Sequence, residues 1–264
     1  VDAGPNNDGT AIFLNGGGNI LANGTEAEPI MFFPTNGAAA LVLPQTQQNN
    51  YDSWRGMVHE GAGSSSYSWV FFVGAGNGPT GSHPRSGVLR MDETHAVVMT
   101  DCVMADSPGK GLFVLGNNDV TLQRNSWSRI GYGGECLGGG HTLLIEDSWF
   151  TRIGYGPESV DLDGDIFHLD NASASQTIRR SVLADCGDDM IDHSGANPVV
   201  ENTLIWDADD KCVSLSGGGS VTFNNVTPTI SASDINISGG ATNPDEGIHA
   251  VSIDVTFADP AEDL

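Results

Sequence analysis

Short apolar stretches alternate with polar, glycine-rich turns along the middle of the chain. Each copy of the pattern contains an apolar strand, a polar turn, a short apolar strand, a Gly/Asp turn and a third apolar strand. The segments that align in this way are 94–118, 119–140, 141–175, 176–197, 198–219 and 220–233. Self-similarity at a fixed period indicates a repeat architecture, in which each unit buries its apolar face against its neighbours.

The spacing of the repeats predicts the kind of architecture. Equivalent points are separated by 24, 22, 33, 22 and 22 residues, and they are Asp101, Asn125, Asp147, Arg180, Asn202 and Asn224. The longest step carries an inserted loop around 155–163. Units of three short strands predict a parallel β-solenoid, in which like positions stack about 4.8 Å apart. A helical solenoid is disfavoured, because the repeats are short and rich in Gly, Val, Ile and Thr.

The regular repeats form the centre of a single domain that we expect to span residues 1–264. Residues 1–93 repeat more loosely, and they are predicted to form irregular N-terminal coils and a cap. Residues 94–233 form the regular coils, and 234–264 form a last coil or a cap, with a tail. We expect a monomer, which could be one part of a larger surface protein.

The alignment also predicts which side chains point inward in the last strand of each coil. One inward column contains Phe113, Leu137, Phe167, Ile191 and Val213, and a second contains Leu115, Leu169, His193 and Leu215. Because side chains alternate across a strand, the positions between these columns point outward. The outward and turn positions of three neighbouring coils are therefore expected to form one surface. The residues expected on it are Asp165, His168, Asp188, Asp189, Asp192, Asp210 and Lys211.

The charge of the chain excludes several partners. Asp and Glu number 34 against 10 Lys and Arg, which gives a formal net charge of −24. Nucleic acids and anionic membranes would be repelled. No apolar run approaches the roughly 18 residues of a membrane span, so membrane insertion is not predicted. The acidity, the few lysines and the abundance of Gly, Asn, Ser and Thr favour an extracellular or cell-surface location.

The four cysteines, at positions 102, 136, 186 and 212, lack the spacing of a zinc site. They do not align in neighbouring coils, so stacked disulfides are not predicted. We expect small buried thiols.

The acidic surface needs a counter-charge, because carboxylates one coil apart repel each other. They can share a proton, pair with Lys211 or His168, or bind a cation. Oxygen ligands favour calcium over zinc or copper. The sequence therefore predicts calcium as a cofactor, with the candidate ligands Asp161, Asp163, Asp165 and Asp210. A turn in which these side chains only hydrogen-bond the backbone is the alternative.

Several stretches together carry a resemblance to a known family. EPIMFFP, WRGMVHEG, SPGKGLFVLG, GDDMIDHSGANPVVENTLIW and DDKCVSLSGGG resemble repeats of the pectin-lyase-like superfamily, in particular the β-helix regions of bacterial cell-surface proteins. The resemblance covers about Ile20 to Val226. It implies an all-β fold, a single-stranded right-handed parallel β-helix with coils of about 22–24 residues. That superfamily includes lyases, glycosidases, epimerases, esterases and non-catalytic adhesins, so the fold leaves the activity open.

Two segments are similar to the acid-bearing motifs of polygalacturonases, which share the β-helix. LDGD at 162–165 is similar to their NTDG motif, and GDDMI at 187–191 is similar to their GDD motif. The resemblance implies that Asp165, Asp188 and Asp189 carry out glycoside hydrolysis as paired acids. The GHG and RIK motifs of polygalacturonases have no counterpart in this chain.

A polysaccharide lyase is the alternative enzyme. It would need a base that removes the proton beside a uronate carboxylate. The candidates for this base are Lys211, His168 and His193.

The motif RIGYG occurs twice, at 129–133 and 152–156. Stacked copies would present two arginines and two tyrosines to a sugar ring, although a repeated structural turn also explains the motif. The predicted substrate-binding residues are Arg129, Tyr132, Arg152, Tyr155, Asp192 and His193. Trp127 and Trp149 align as well and are expected to pack against each other or form an aromatic ladder.

The predicted function is that of a secreted or cell-surface module that binds or acts on polysaccharide through an acidic, calcium-binding face. A non-catalytic structural or adhesive β-helix is the competing hypothesis. The sequence leaves open whether the chain is an enzyme, which polysaccharide it recognises and what it is attached to. If it is an enzyme, it is a glycoside hydrolase or a polysaccharide lyase.

Overall fold

The structure, a computed structural model, describes residues 11–33, 54, 56–75, 87–154, 164–170, 174–216, 219–228 and 235–237. The described residues form 23 strands and contain no helix. The predicted tail and most of the predicted cap lie outside them. In chain order the strands are β1 (Ala11–Leu14), β2 (Leu21–Asn23), β3 (Ile30–Phe32), β4 (Gly56–Glu60), β5 (Gly63–Ser68), β6 (Val70–Val73), β7 (Leu89–Glu93), β8 (His95–Thr100), β9 (Val103–Gly116), β10 (Asp119–Gln123), β11 (Ser126–Leu137), β12 (Thr142–Glu146), β13 (Trp149–Ile153), β14 (Phe167–Asp170), β15 (Ser175–Arg179), β16 (Val182–Cys186), β17 (Ile191–Ser194), β18 (Val199–Glu201), β19 (Leu204–Ala208), β20 (Val213–Ser216), β21 (Thr222–Asn224), β22 (Thr227–Pro228) and β23 (Ile235–Ile237).

The strands form three parallel faces that wind into a right-handed β-helix, as predicted. Face 1 contains β2, β5, β8, β10, β12, β15, β18 and β21. Face 2 contains β3, β6, β13, β16, β19 and β22, together with the first halves of the long strands β9 and β11. Face 3 contains the second halves of β9 and β11, together with β1, β4, β7, β14, β17, β20 and β23.

The coil length on face 1 agrees with the predicted repeat. The stacked positions advance by 23, 23, 33, 22 and 23 residues, and they are Val98, Thr121, Leu144, Thr177, Val199 and Thr222. Parallel strands need this near-constant length, because each strand must return to the same place one rung higher. The step of 33 carries the insertion that the sequence predicted.

The inward side chains of the three faces form one continuous apolar core. Each fully buried Leu, Ile, Val or Phe in it contributes roughly 1.5–3 kcal/mol of transfer free energy. Phe150 packs edge-to-face against both Trp127 and Phe167, with ring centroids 5.0 Å apart in each pair. Trp149 pairs instead with Ser126 and is 54% exposed. The predicted alignment of Trp127 with Trp149 is therefore wrong by one residue, which moves Trp149 to the outer side of the strand.

The corner between faces 1 and 2 is made by residues in the left-handed backbone conformation. Their φ angles lie between 47° and 57°, and they are Trp69, Asp101, Arg124, Asp147, Arg180, Asn202 and Asn225. The predicted equivalent points Asn125 and Asn224 are thus each displaced by one residue. The physical reason is that the long Arg124 side chain is accommodated by a two-pronged ion pair with Asp101, at 2.7 and 2.9 Å.

Asn125 follows the corner and points inward, where it is 2% exposed. Its side-chain oxygen accepts a hydrogen bond from the Cys102 N–H, and its own N–H donates to the Ser148 hydroxyl. Ser181 and Thr203 continue this series in the following coils. The inner edge of the corner is therefore a polar ladder that satisfies backbone N–H groups cut off from water.

Face 3 departs from the predicted columns in its first two regular coils. The inward column contains Leu112, Gly134, Phe167, Ile191 and Val213, so Phe113 and Leu137 do not belong to it. Strand β9 has one more residue than β11 between the paired positions Ser107/Ile130 and Lys110/Tyr132. Gly134 leaves a gap that the Phe167 ring fills, 3.0 Å from where a Cβ would lie. The remaining predicted positions of this column, at Phe167, Ile191 and Val213, are confirmed. In the second inward column Leu169, His193 and Leu215 are confirmed, but Val114 takes the position predicted for Leu115.

The four cysteines, Cys102, Cys136, Cys186 and Cys212, are buried and free, which confirms the prediction of buried thiols.

Candidate functional site

Two columns of side chains lie side by side where face 3 begins. The turn column contains Lys110, Tyr132, Asp165, Asp189 and Lys211. The strand column points outward and contains Phe113, Glu135, His168, Asp192 and Ser214. The predicted stacking of Asp165, Asp189 and Lys211, and that of His168 on Asp192, is confirmed.

Close packing of glycines explains why the turns at the site have their sequence. Gly164 and Gly187 precede Asp165 and Asp188, and both lie against Gly154, which belongs to the same coil as Gly164 and to the coil before Gly187. A Cβ on Gly164 would lie 2.9 Å from the Gly154 Cα, closer than carbon atoms approach in folded proteins. The glycines thus let the two ends of the inserted loop approach each other and let the next coil stack tightly on them, which brings the acids of successive coils together.

Asp165 is the most deeply buried aspartate of the site, at 3% exposure. Its carboxyl group accepts hydrogen bonds from the Tyr132 hydroxyl at 3.0 Å and from the Asp189 N–H at 3.1 Å. Burial raises the pKa of Asp165 to about 8, and the charges of Asp192, Asp189 and Asp188 act in the same direction. The group therefore holds a proton at neutral pH.

Asp189 is flanked by a cation. Lys211 Nζ lies 3.3 Å from Asp189 Oδ1 and also donates to Asp210. Burial raises the pKa of Asp189 to about 6 against the opposing attraction of Lys211. Burial alone would lower the pKa of Lys211, but the hydrogen bonds to Asp210 and Asp189 outweigh it and raise the pKa. At neutral pH, Asp189 is mostly ionised and Lys211 is charged.

His168 and Asp192 form the second ion pair of the site, with Nδ1 and Oδ2 3.1 Å apart. Burial opposes charge on both groups, but their mutual hydrogen bond raises the pKa of His168 and lowers the pKa of Asp192. Asp165, Asp188, Asp189 and Asp192 are called the acidic cluster below. Within it, the environment separates a protonated acid from ionised carboxylates.

Sequence reasoning missed Lys110 and Glu135, which are 1% and 0% exposed and form an ion pair beside the cluster. Lys110 Nζ also lies 4.9 Å from the centre of the Tyr132 ring. The signal was present, because Glu135 lies one coil before His168 in the strand column. The misassigned columns of face 3 concealed it.

The predicted substrate-binding residues occupy different environments. The Tyr132 ring is fully buried, so it offers no surface to a sugar. Arg129 and Arg152 lie at the corner between faces 2 and 3, where Arg129 pairs with Asp106 at 2.6 Å and Arg152 with Asp185 at 3.4 Å. Their stacking matches the structural-turn interpretation of RIGYG.

The other three predicted substrate-binding residues also differ in their placement. His193 points into the coil with no exposed surface, and burial lowers its pKa to about 4. Asp192 lies within the site, and Tyr155 lies outside the described residues.

Among the residues that the structure describes, two groups of side chains could hold a cation. One ligand atom each from Asp165, Asp188 and Asp189 lies within 4.8 Å of the others, and the same holds for Asp165, His168 and Asp192. The first group offers only oxygen, which fits calcium, although calcium takes 6–8 oxygen ligands and would need others. Asp210 pairs with Lys211 and belongs to neither group. The predicted ligands Asp161 and Asp163 lie outside the described residues.

In the part of the chain that the structure describes, no helix is long and apolar enough to cross a membrane.

Comparison with known proteins gives one match. The family described as "Right handed beta helix region" matches residues 80–227, which include the turn and strand columns. Neither the curated proteins nor the solved structures give a match. The matched span exceeds half of the chain and agrees with the three parallel faces. The chain therefore belongs to the right-handed β-helix family.

Proposed function

We propose that this chain is a secreted or cell-surface β-helix module that cleaves a polysaccharide at the acidic cluster. The observation that supports this most is the separation of pKa values within one small site. Burial raises the pKa of Asp165 to about 8, whereas that of Asp189 is about 6. Neighbouring carboxyl groups with such different proton affinities are what acid and base roles require.

In the proposed reaction, the protonated Asp165 donates its proton to the glycosidic oxygen as the bond to the sugar breaks. The ionised Asp189 attacks the anomeric carbon, and water later releases the sugar with Asp165 acting as base. Oxygens of the two carboxyl groups lie within 4.8 Å of each other. This upper limit is shorter than the roughly 6.5–9.5 Å of inverting glycosidases, so a retaining mechanism, which needs roughly 5–5.5 Å, is the closer match.

The other charged residues of the site have supporting roles in this proposal. Lys211 limits the rise of the Asp189 pKa and so keeps that carboxylate ionised. His168 is paired with Asp192, so these two side chains are candidates for holding sugar hydroxyls. The lyase alternative has less support, because Lys211 retains its proton at neutral pH and His193 lies inside the coil.

Activity on a panel of plant, algal and bacterial polysaccharides, measured as release of reducing ends, tests the proposal. We expect Asp165→Asn and Asp189→Asn each to lose nearly all activity while circular dichroism stays unchanged. Asp119→Asn is the matched control, because Asp119 is exposed on face 1 and should keep full activity. The activity should be bell-shaped in pH, with limbs near 6 and 8.

Absence of cleavage across the panel, or full activity in Asp189→Asn, would favour the structural or adhesive β-helix.

Calcium at the cluster is a second proposal, supported by the three oxygen ligands from Asp165, Asp188 and Asp189. An ion bound there would have to displace the proton of Asp165, so calcium affinity should increase as the pH rises toward 8. Titration calorimetry with calcium chloride at pH 6 and pH 8 measures this, with Asp165→Asn as control. A pH-independent affinity, or equal binding by the variant, would place any calcium elsewhere.

A further inference from the structure

The outer surface of face 2 carries no charged side chain along two stacked columns. The first column runs from β3 to β19 and contains Met31, Phe71, Val103, Ser126, Trp149, Val182 and Leu204. The second contains Val73, Ala105, Ser128, Thr151, Ala184 and Trp206. We call these two columns the face 2 strip. It is an unusual surface in a chain of net charge −24.

Large apolar side chains of the strip are open to solvent. Trp149 is 54% exposed, Trp206 is 50% exposed and Leu204 is 39% exposed. Trp206 lies two coils and two residues away from Trp149, which places their Cα atoms roughly 12 Å apart on the same sheet. Contiguous exposed apolar surface of this kind marks an interaction site, and tryptophan offers a wide apolar ring with a polar N–H.

Charged residues border the strip on both sides, and most of them are paired; the exception among the described residues is Asp207, which is exposed beside Trp206. On the side of face 1, Arg180 pairs with Asp147 as Arg124 does with Asp101. On the side of face 3, Arg152 pairs with Asp185. These paired charges are engaged within the chain, so the strip offers an ionic partner only the Asp207 carboxylate at its edge.

The charges of the whole chain select the occupant. A second copy of the chain, a nucleic acid or an anionic glycan would meet the repulsion of a net charge of −24. A cationic partner would find no carboxylate within the strip. Hydroxyl groups of Ser126, Ser128 and Thr151 lie among the apolar side chains, and this mixture matches a sugar ring with apolar C–H faces and hydroxyl edges.

We propose that the face 2 strip binds an uncharged polysaccharide, whose chain runs along the stack of coils across Trp149 and Trp206. The strip lies on a different face from the acidic cluster, and its binding does not depend on the proposed cleavage. A substrate held on face 2 and cut on face 3 would be gripped at two separate places. A chain without any catalytic activity would still bind the glycan.

Titration calorimetry and tryptophan fluorescence with cellohexaose, xylohexaose and mannohexaose test the proposal, and oligogalacturonate serves as the anionic comparison. We expect binding of at least one neutral hexasaccharide and none of oligogalacturonate. Trp149→Ala and Trp206→Ala should each weaken the affinity about tenfold. Leu21→Ala is the matched control, because Leu21 is an exposed apolar residue on face 1 and should leave the affinity unchanged.

Three results would overturn the proposal: no binding of any neutral hexasaccharide, binding that both tryptophan variants leave intact, or loss of binding in Asp189→Asn with the tryptophans unchanged. Sedimentation velocity supplies a fourth test. A dimer that disappears in Trp206→Ala would assign the strip to a second copy of the chain. Loss of cleavage in Asp165→Asn with unchanged affinity for the neutral glycan would separate this site from the catalytic one.

Discussion

At the start of face 3, the burial and the protonation state of single residues depend more on their surroundings than on their residue type. Lys110 and Glu135 are charged residues with almost no exposed surface, and Asp165 is an acid that retains its proton at neutral pH. Each is held by a neighbour one coil away in the stack. A position that would be unfavourable for an isolated charge is thus stabilised by the coil above or below it.

Removing one member of the buried Lys110 and Glu135 pair should be costly. We expect Lys110→Met to lower the free energy of unfolding by about 3–5 kcal/mol, because it leaves the Glu135 carboxylate buried without its cation. Urea denaturation measures this. The double variant Lys110→Met with Glu135→Leu should recover part of the loss. Equal losses in the single and double variants would show that packing, and not charge, is the cause.

The proton on Asp165 should make the chain less stable as the pH rises. The unfolded carboxyl group releases its proton near its ordinary value, whereas the folded chain keeps it up to about pH 8. Between these values the folded state binds the extra proton, so the free energy of unfolding falls with pH, by up to about 1.4 kcal/mol per unit. The pKa values of His59 and His193 are lowered to about 4 by burial, and they act in the opposite direction at lower pH.

Urea denaturation at pH 7 and pH 8 in calcium-free buffer isolates the Asp165 contribution. The fall in the free energy of unfolding between pH 7 and pH 8 should become smaller in Asp165→Asn and should persist in His168→Gln. The raised pKa of His168 contributes to this pH dependence with the same sign. An unchanged slope in Asp165→Asn would assign the titration to another group.

At the scale of single elements, the corners fix the register. Each regular coil turns from face 1 to face 2 through a left-handed residue, and the next residue, such as Asn125, supplies an inward polar side chain. The repeat alignment took Asn125 as the point equivalent to Asp101 and Asp147. The structure places Arg124 there, since a charge pair with Asp101 compensates for the less suitable residue.

Side-chain shape at a corner should decide stability more than polarity does. Asn202 has a φ of 47°, a backbone region that β-branched residues avoid. We expect Asn202→Val to lower the free energy of unfolding by about 1–2 kcal/mol in urea denaturation, and Asn202→Gly to change it little. Asn224→Val is the control at an exposed strand position, and it should be tolerated. Equal losses at both positions would contradict a backbone origin.

For the whole molecule, the sequence was sufficient for the fold and for part of the site. The period predicted the solenoid because stacking forces each coil to return to the same place, and Asp165, Asp189 and Lys211 were aligned by equivalent Gly/Asp turns. Glu135 was missed for a physical reason. Gly134 contributes no apolar side chain to the core column, and β9 carries one extra residue, so counting along the chain could not recover the register.

The excess of acids should make the stability of the whole chain depend on salt. Raising sodium chloride from about 0.01 M to about 0.15 M shortens the Debye length from about 30 Å to about 8 Å. With a net charge of −24, screening of self-repulsion should outweigh the weakening of the exposed ion pairs, so the melting temperature rises. Differential scanning calorimetry measures it. A lower melting temperature in salt would show that the Arg and Asp ladders dominate.

The first corner has a consequence for how this chain can be lengthened or shortened. Asp101, Arg124, Asp147 and Arg180 alternate in sign, so the true modular unit at this corner is a pair of coils. Deleting one coil would set Asp101 against Asp147, and duplicating one would set arginine against arginine, which is unfavourable for directly opposed charges. Grafts or duplications should therefore be made in even numbers of coils.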